Sequence, residues 1–337
     1  MIRVTLRQFR VEAVFGFGLL AILGIALAIT GAHLDLVNGA FQAGCRAARD
    51  CASTPNPVVG ADQGLQTLVG LAAIAAPLAI GLFYGAPLIA RELETGTFRL
   101  AWSQSVTRGR WLLVKVGLIG LASVAISALL TWAVDWWQGP LDAATKNRFD
   151  PYLFSVHGVV PIGYAAFAFA LGVAAGVVLR RTVAAMAVTL VAFILARVAV
   201  TDWIRPGLAA PLHRALSFWA AHPTVSLQAP AGTLSLVSSP VMIPNAWVYS
   251  TALVDKSGAG PTSEAMLHAC PALASVPPAA TAVHSCLAKL ASSFHTAVTY
   301  QPASRFWPFQ WGELGIFLAA GLLLGFLSYW WLRRRYA

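Results

Sequence analysis

The sequence has little charge and lacks the common motifs of nucleotide hydrolysis and of hydrolytic enzymes. Asp, Glu, Lys and Arg make up 11% of the 337 residues, whereas hydrophobic residues make up 58%. There is no G-x-x-x-x-G-K-[ST] loop to bind ATP phosphates, no G-x-S-x-G and no H-E-x-x-H. No apolar run contains a pair of carboxylates, which ion-coupled carriers usually need. These absences argue against an ATPase, a serine hydrolase, a zinc protease and an ion-coupled carrier.

Six apolar runs of roughly 18 to 25 residues account for the low charge, and each can cross a hydrocarbon core of ~30 Å as a helix. A backbone in lipid must satisfy its own hydrogen bonds, and these runs are too long for barrel strands. We therefore predict an all-α integral membrane protein with six transmembrane helices, spans 1 to 6. Their expected bounds are Ala13–Thr30, Leu68–Ala90, Trp111–Ala133, Leu153–Leu179, Val183–Trp203 and Leu314–Leu332.

Lysine and arginine are unevenly distributed between the two sets of loops. With the N-terminus inside, the inner segments carry Arg3, Arg7, Arg10, Arg91, Arg99, Arg108, Arg110, Lys115, Arg180, Arg181 and Arg333 to Arg335. The short outer loops carry only Arg46, Arg49, Lys146 and Arg148. This positive-inside bias predicts that both termini are cytoplasmic. It also accounts for most of the net charge of +10, so no basic face remains for nucleic acid.

Residues 1–12 form a basic segment ahead of span 1. Arg3, Arg7 and Arg10 share one face of a helix, and apolar residues share another. This pattern is typical of an amphipathic helix that lies in the membrane interface with its arginines toward lipid phosphates. The alternative is a positive-inside anchor that forms no helix of its own.

The rest of the chain divides at a long loop. Residues 13–203 hold spans 1 to 5, and residues 311–337 hold span 6 and a basic cytoplasmic tail. Between them, residues 204–310 are rich in Pro, Ala and Ser, and we expect an extracytoplasmic cap that begins with a short or re-entrant helix over residues 206–219. Two pieces rich in valine and serine are expected as short strands: Thr233–Met242 and Ala246–Leu253.

All the cysteines fall in the predicted outer loops: Cys45, Cys51, Cys270 and Cys286. Even numbers on the oxidising side of a membrane indicate two disulfides. The local pairs Cys45–Cys51 and Cys270–Cys286 are the simplest of three connectivities. His268 and His284 each precede a cysteine by two positions, so a zinc or copper site with these two cysteines is the alternative.

Arg197 is the one clearly intramembrane charge, about two-thirds of the way along span 5. Ionisable residues inside a membrane are costly and are candidates for function. One interpretation is structural pairing with an acid near the outer surface, for which the candidates are Asp202, Asp135 and Glu313. The other is contact with a transported molecule.

Three glycine pairs have the G-x-x-x-G spacing: Gly81/Gly85, Gly172/Gly176 and Gly321/Gly325. Such pairs let helix backbones approach closely. They predict close packing either between spans of one chain or at the seam of a homodimer.

The segment 91–115 is a block of charge, glycine and hydroxyl residues between spans 2 and 3. Its pattern of Glu92, Gly96-Thr97, Ser-Val-Thr-Arg108 and Lys115 resembles the E-x-x-x-G-T…S-R…K run of type-2 ABC exporter permeases. The topology is also similar, with six spans, a basic N-terminal segment and a large region before the last span. Many members have a proline before the Ser/Thr-Arg element, whereas this chain has Gln104-Ser105.

The resemblance implies that residues 91–110 of this segment are a cytoplasmic coupling loop that docks on a separate ATPase. Its expected contact residues are Arg91, Glu92, Glu94, Gly96, Thr97, Trp102, Arg108 and Arg110. Glu92 and Glu94 would charge the end of the helix from span 2, Gly96 would allow a turn, and Trp102 would anchor the interface.

The resemblance further implies a permease subunit that is not itself an enzyme and holds no cofactor. Two cytoplasmic ABC ATPase subunits would bind ATP and magnesium, and a second permease copy would complete a homodimer. The substrate would be a small amphipathic molecule such as a drug, antibiotic, peptide or lipid, and the location a bacterial, actinobacterial-like plasma membrane. Two alternatives stay open: an ATP-coupled signalling or assembly subunit, and an extracytoplasmic metal- or haem-handling membrane protein.

Overall fold

The computed structural model describes residues 10–48, 56–60, 63–96, 108–228, 233–262, 264, 268, 270, 271 and 280–335. The chain divides into two compact units. The first, here called the helical unit, comprises Met1–Leu208 and Trp307–Ala337, and the second, the inserted unit, comprises Ala209–Phe306. The predicted interfacial segment, including Arg3 and Arg7, lies outside the described residues apart from its end at Arg10.

The helical unit consists of helices, most of them long and apolar, with two short ones, Pro151–Phe154 and Arg205–Gly207, between them. They are α1 (Arg10–Ala48), α2 (Gln63–Ala79), α3 (Ala86–Thr95), α4 (Arg108–Thr145), α5 (Pro151–Phe154), α6 (Val160–Leu179), α7 (Thr182–Ala199), α8 (Arg205–Gly207) and α10 (Phe306–Arg335). Six stretches are long and apolar enough to cross a membrane: Gly16–Ala47, Gln63–Thr95, Gly109–Thr145, Val160–Leu179, Thr182–Gly207 and Ala303–Arg334. The prediction of a mostly helical chain with six spans is confirmed.

Helices α1 and α4 continue well past the predicted ends of spans 1 and 3. Their extensions are joined where the Trp137 indole N–H donates to the Thr30 hydroxyl at 2.9 Å. Leu34, Val134 and Trp137 are buried there in one apolar cluster. Because these contacts stabilise both extensions, much of the expected first outer loop, including Cys45, is helical.

Span 2 is interrupted by Pro77 and by a π-helical turn at Ile80–Gly85, which joins α2 to α3. At this turn its backbone lies against span 4. A β-carbon on Gly172 would lie 2.4 Å from the Gly81 carbonyl oxygen, and one on Gly176 would lie 2.8 Å from the Ala86 carbonyl oxygen. The glycine pairs of spans 2 and 4 therefore pack against each other within one chain.

The inserted unit contains strands as well as helix. A three-stranded antiparallel sheet has the order β1 (Leu212–Leu216), β5 (His295–Gln301), β4 (Trp247–Val254), and β2 (Thr224–Gln228) pairs with β3 (Thr233–Val237). Helix α9 (Ala280–Ser293) contributes Leu287 and Leu290 to an apolar core with Phe218, Leu253 and Val298. Strand β4 matches the predicted piece Ala246–Leu253 to within one residue at each end, whereas β3 fills only the first half of the predicted piece Thr233–Met242.

The expected helix over residues 206–219 is wrong. After Pro211, residues 212–216 form β1 and pair with residues 296–300 of β5. Proline favours extended backbone before it and lacks the N–H that a helix interior needs, and the neighbouring strand supplies hydrogen bonds instead.

Candidate functional site

The predicted coupling loop is described at its two ends. Helix α3 ends at Thr95, and Gly96 follows with φ of +75°, the left-handed conformation that glycine adopts readily at a helix C-terminus. Helix α4 begins at Arg108, and the exposed residues Arg91 and Arg110 lie on either side of the loop. Thr97 and Trp102 lie outside the described residues, as do all positions from 97 to 107.

Glu92, in the last turn of α3, forms a largely buried ion pair with Lys115 of α4. The Lys115 side chain is 5% exposed, and its ammonium lies 5.1 Å from the centre of the Trp111 ring. The pair therefore joins span 2 to span 3. Glu92 lies about one helical turn before the end of α3, and Lys115 lies about two turns after the beginning of α4. Because both charges are largely desolvated, removal of one partner would leave the other uncompensated.

Glu94 joins span 2 to span 5. Its Oε2 accepts from the backbone N–H of Thr182 at 3.0 Å and from the Thr182 hydroxyl at 2.8 Å. Thr182 is the first residue of α7, so Glu94 satisfies an N–H group that the helix leaves unpaired. A carboxylate at this position also interacts favourably with the positive end of the helix dipole.

The C-terminal end of span 6 reaches the same layer. A β-carbon on Gly109 would lie 2.8 Å from the Tyr329 ring, and Leu93, Trp111 and Leu332 are buried in one cluster. The ends of spans 2, 3, 5 and 6 thus meet around the predicted loop. We call this region the coupling layer.

At the opposite ends of the spans lies a second polar cluster, the buried clamp, built on Arg205 and Glu313. Both side chains are 1% exposed. Arg205 Nε donates to Glu313 Oε2 at 2.7 Å and Nη2 donates to Oε1 at 3.0 Å, a bidentate pair. The Tyr164 hydroxyl donates to Glu313 Oε1, and Ser155 Oγ accepts from Arg205 at 3.1 Å. The Pro151 carbonyl oxygen also accepts a hydrogen bond from Arg205 at 3.3 Å.

Arg205 is not among the site residues predicted from the sequence, and Glu313 is predicted only as a candidate partner of Arg197. The predicted ends of spans 5 and 6 placed both residues outside the membrane. A π-helical turn at Val200–Ile204 extends span 5 and brings Arg205 back over the Phe154 ring, with its guanidinium carbon 4.5 Å from the ring centre. Such π turns often occur at functional sites.

Arg197 is half-buried, and its guanidinium carbon lies 4.0 Å from the centre of the Tyr164 ring. Among the described side chains it forms no ion pair, so the expected pairing with Asp202, Asp135 or Glu313 is absent there. Glu313 is already engaged by Arg205. His157 Nδ1 lies 2.8 Å from Asp135, whose carboxylate also accepts from the Gly158 N–H.

The connection between spans 3 and 4 is fixed by Gln310 of α10. Its Oε1 accepts from the N–H groups of Val159 and Val160 at 3.0 Å, and its Nε2 donates to the Phe154 carbonyl at 2.9 Å. A side chain of span 6 therefore caps the beginning of span 4.

A groove of about 510 Å³ runs between α4, α6 and α10. Its walls are almost wholly apolar, and they include Val116, Gly120, Phe169, Gly321, Leu322 and Phe326. The third glycine pair, Gly321/Gly325, lies on this groove and is not packed as the other two are, since a β-carbon on Gly325 would meet nothing within 4 Å.

The bonding state of the cysteines decides whether they can bind zinc or copper together with His268 and His284. Cys270 and Cys286 form a disulfide, and Cys45 is also disulfide-bonded, whereas its predicted partner Cys51 lies outside the described residues. Sulfur atoms bonded to each other are not thiolate ligands, so the His268 and His284 motifs do not supply the four-ligand set. Within the described ranges, no group of three or more His, Cys, Asp or Glu residues is placed to hold a metal.

Residues 17–205 match the model of a protein family described as ABC-2 membrane transporter related. The match covers more than half of the chain, including spans 2 to 4, nearly all of spans 1 and 5, the segment between spans 2 and 3, and Arg197. Searches of the curated proteins and of the solved structures give no match.

Proposed function

The chain belongs to the ABC-2 membrane transporter related family, and from this premise we propose that it is the permease subunit of an ATP-driven exporter for a small amphipathic molecule. Membership in the family indicates an ABC permease subunit, a multi-pass membrane protein with a partner ATPase. The proposal adds the direction, the class of substrate and the place of coupling. It also adds a bacterial plasma membrane with both termini in the cytoplasm.

The observation that carries the proposal is the pair of polar links on either side of the coupling loop. Glu92 ties span 2 to span 3 through Lys115, and Glu94 ties span 2 to span 5 through Thr182. A force on the loop is therefore transmitted to three spans at once, because charged hydrogen bonds and a buried ion pair resist separation of the helix ends.

The energy would enter through contact with a separate protein. With no phosphate loop in this sequence, ATP and magnesium would bind to the partner ATPase, of which two copies would face two permease copies. The exposed Arg91 and Arg110 offer guanidinium donors that suit an acidic groove.

The groove between α4, α6 and α10 supports the proposed class of substrate. Its volume of about 510 Å³ falls within the range of ligand pockets, roughly 300 to 1,000 Å³. Apolar walls suit the hydrocarbon part of an amphipathic molecule. A second copy of the chain packed over the Gly321/Gly325 face would enclose the groove.

The test is coupling in proteoliposomes that contain the chain with its co-expressed ATPase. Glu94→Ala removes the link to Thr182, and we expect a loss of transport and of permease-stimulated ATPase activity while the chain stays inserted. Glu264→Ala, an exposed glutamate in the inserted unit, is the matched control. Full stimulation and full transport by the Glu94→Ala variant would contradict the coupling assignment.

A second function is favoured by the buried clamp. Arg205 and Glu313 lie on the two chain segments that flank the inserted unit, so ATP hydrolysis could move this unit without transporting a substrate. The chain would then be a signalling or assembly subunit. ATP-dependent accumulation of an amphipathic substrate in vesicles would exclude this second function.

A further inference from the structure

Arg197 has a cationic group that the described chain leaves without an anion. Its guanidinium is stacked on the Tyr164 ring at 4.0 Å, a cation–π contact that fixes the plane of the group but uses none of its N–H donors. No carboxylate of a described residue lies within ion-pair distance of Arg197.

The carboxylate of the cluster, Glu313, is already engaged by Arg205 and Tyr164. Both oxygens of Glu313 accept from Arg205, and one of them also accepts from Tyr164. The cluster of Arg197, Arg205 and Glu313 therefore has one more positive than negative charge, and Tyr164 links the two guanidinium groups.

The surroundings of Arg197 determine what can supply the missing charge. The neighbouring apolar side chains on span 5, Ile194, Leu195 and Val198, are about half exposed or more, which is typical of a lipid-facing surface. Arg197 lies fifteen positions after Thr182, or ~22 Å along the helix at 1.5 Å per residue. The exposed Trp203, six positions later, is of the kind that marks the membrane interface. The guanidinium thus lies below the headgroups of the leaflet at the Gly207 end of the span.

We propose that Arg197 binds the phosphate or carboxylate headgroup of an amphipathic molecule in that leaflet. Oxyanions suit the planar fork of donors, which Tyr164 holds in a fixed orientation. Anchoring one headgroup would neutralise the excess charge of the cluster while the apolar tail lies along span 5. This inference requires the spans to lie in a bilayer but does not require ATP coupling, and its test uses no ATPase.

The test uses the full chain in nanodiscs and native mass spectrometry of bound lipid. Phosphatidylglycerol is compared with phosphatidylcholine of the same acyl chains. We expect the wild type to retain phosphatidylglycerol preferentially, Arg197→Gln to lose the tightest-bound molecule, and Arg197→Lys to retain it partly. If inorganic phosphate displaces the bound phosphatidylglycerol, the site is one for soluble anions. If phosphate does not displace it, the site is one for a headgroup carried by a lipid.

Two controls separate this site from general charge effects. Lys256→Gln removes the same charge from an exposed turn of the inserted unit. Arg334→Gln disrupts a similar cation–π contact, 4.3 Å from the Trp330 ring centre, near the other end of the spans. An unchanged phosphatidylglycerol occupancy in Arg197→Gln, or an equal loss in Lys256→Gln, would overturn the proposal. If Arg197→Gln does not fold, reduced occupancy in Arg197→Lys supports the proposal and wild-type occupancy overturns it.

Discussion

Replacing Arg205 by methionine would leave the Glu313 carboxylate buried with the Tyr164 hydroxyl as its remaining partner. Both members of the pair are 1% exposed, so neither charge can regain water without opening the bundle. Breaking such a pair from one side typically costs about 3 to 5 kcal/mol. At about 1.4 kcal/mol per factor of ten, this lowers the ratio of folded to unfolded protein by more than a hundredfold.

The matched substitution of both partners is expected to cost much less. Arg205→Met with Glu313→Leu removes both desolvated charges and leaves apolar groups of similar size, a change that is often neutral or stabilising by about 1 to 4 kcal/mol. The assay is unfolding in a mild detergent, followed by circular dichroism for the wild type, each single variant and the double variant. Arg148→Met is the control, because Arg148 is 42% exposed and its contact with Asp142 is long at 3.5 Å.

If each single variant costs under about 1 kcal/mol, the value typical of exposed pairs, then the clamp is not desolvated as described. If the double variant costs the sum of the two singles, then Arg205 and Glu313 do not interact energetically.

Two further predictions concern the packing of spans 2 and 4 and one turn of the inserted unit. Gly172→Ala places a β-carbon 2.4 Å from the Gly81 carbonyl oxygen and should cost about 1 to 3 kcal/mol in detergent unfolding, whereas Gly325→Ala, with nothing within 4 Å, should be nearly neutral. The Ser257 hydroxyl, followed by the Ala259 N–H, holds the pKa of Asp255 below its usual range, so this stabilisation holds at neutral pH and is lost as the pH falls through the lowered pKa. An NMR titration should give a higher Asp255 pKa in Ser257→Ala, and an unchanged value would contradict the assignment.

The number of spans and the helix-packing glycines could be predicted from the sequence because both depend on local patterns. An apolar run of a given length crosses the membrane as a helix wherever it occurs, and G-x-x-x-G spacing marks a close approach without identifying its partner. The structure supplies the partner, since Gly81 meets Gly172 across spans 2 and 4. Strands β3 and β4 were also visible as valine- and serine-rich pieces.

The polar links could not be predicted in this way because each joins residues far apart in the chain. Glu94 and Thr182 are separated by 88 positions, and Arg205 and Glu313 by 108. Hydropathy assigns a depth to each residue, but it does not indicate which acid meets which base. It also ended span 5 at Trp203, although the helical path continues through a π turn to Gly207.

The two arginines of span 5 show how position in an apolar run differs from burial in the protein. Arg197 lies inside the run and is half-buried against Tyr164, whereas Arg205 lies beyond the predicted end of the run and is almost completely buried. Full burial requires a compensating carboxylate, and Glu313 provides it only for Arg205. A paired and desolvated charge is committed to holding the fold together, whereas a partly exposed charge with no carboxylate partner among the described residues can still bind an anion. The partial exposure of Arg197, beside the exposed side chains of Ile194 and Val198, therefore makes it the stronger candidate for contact with an amphipathic molecule.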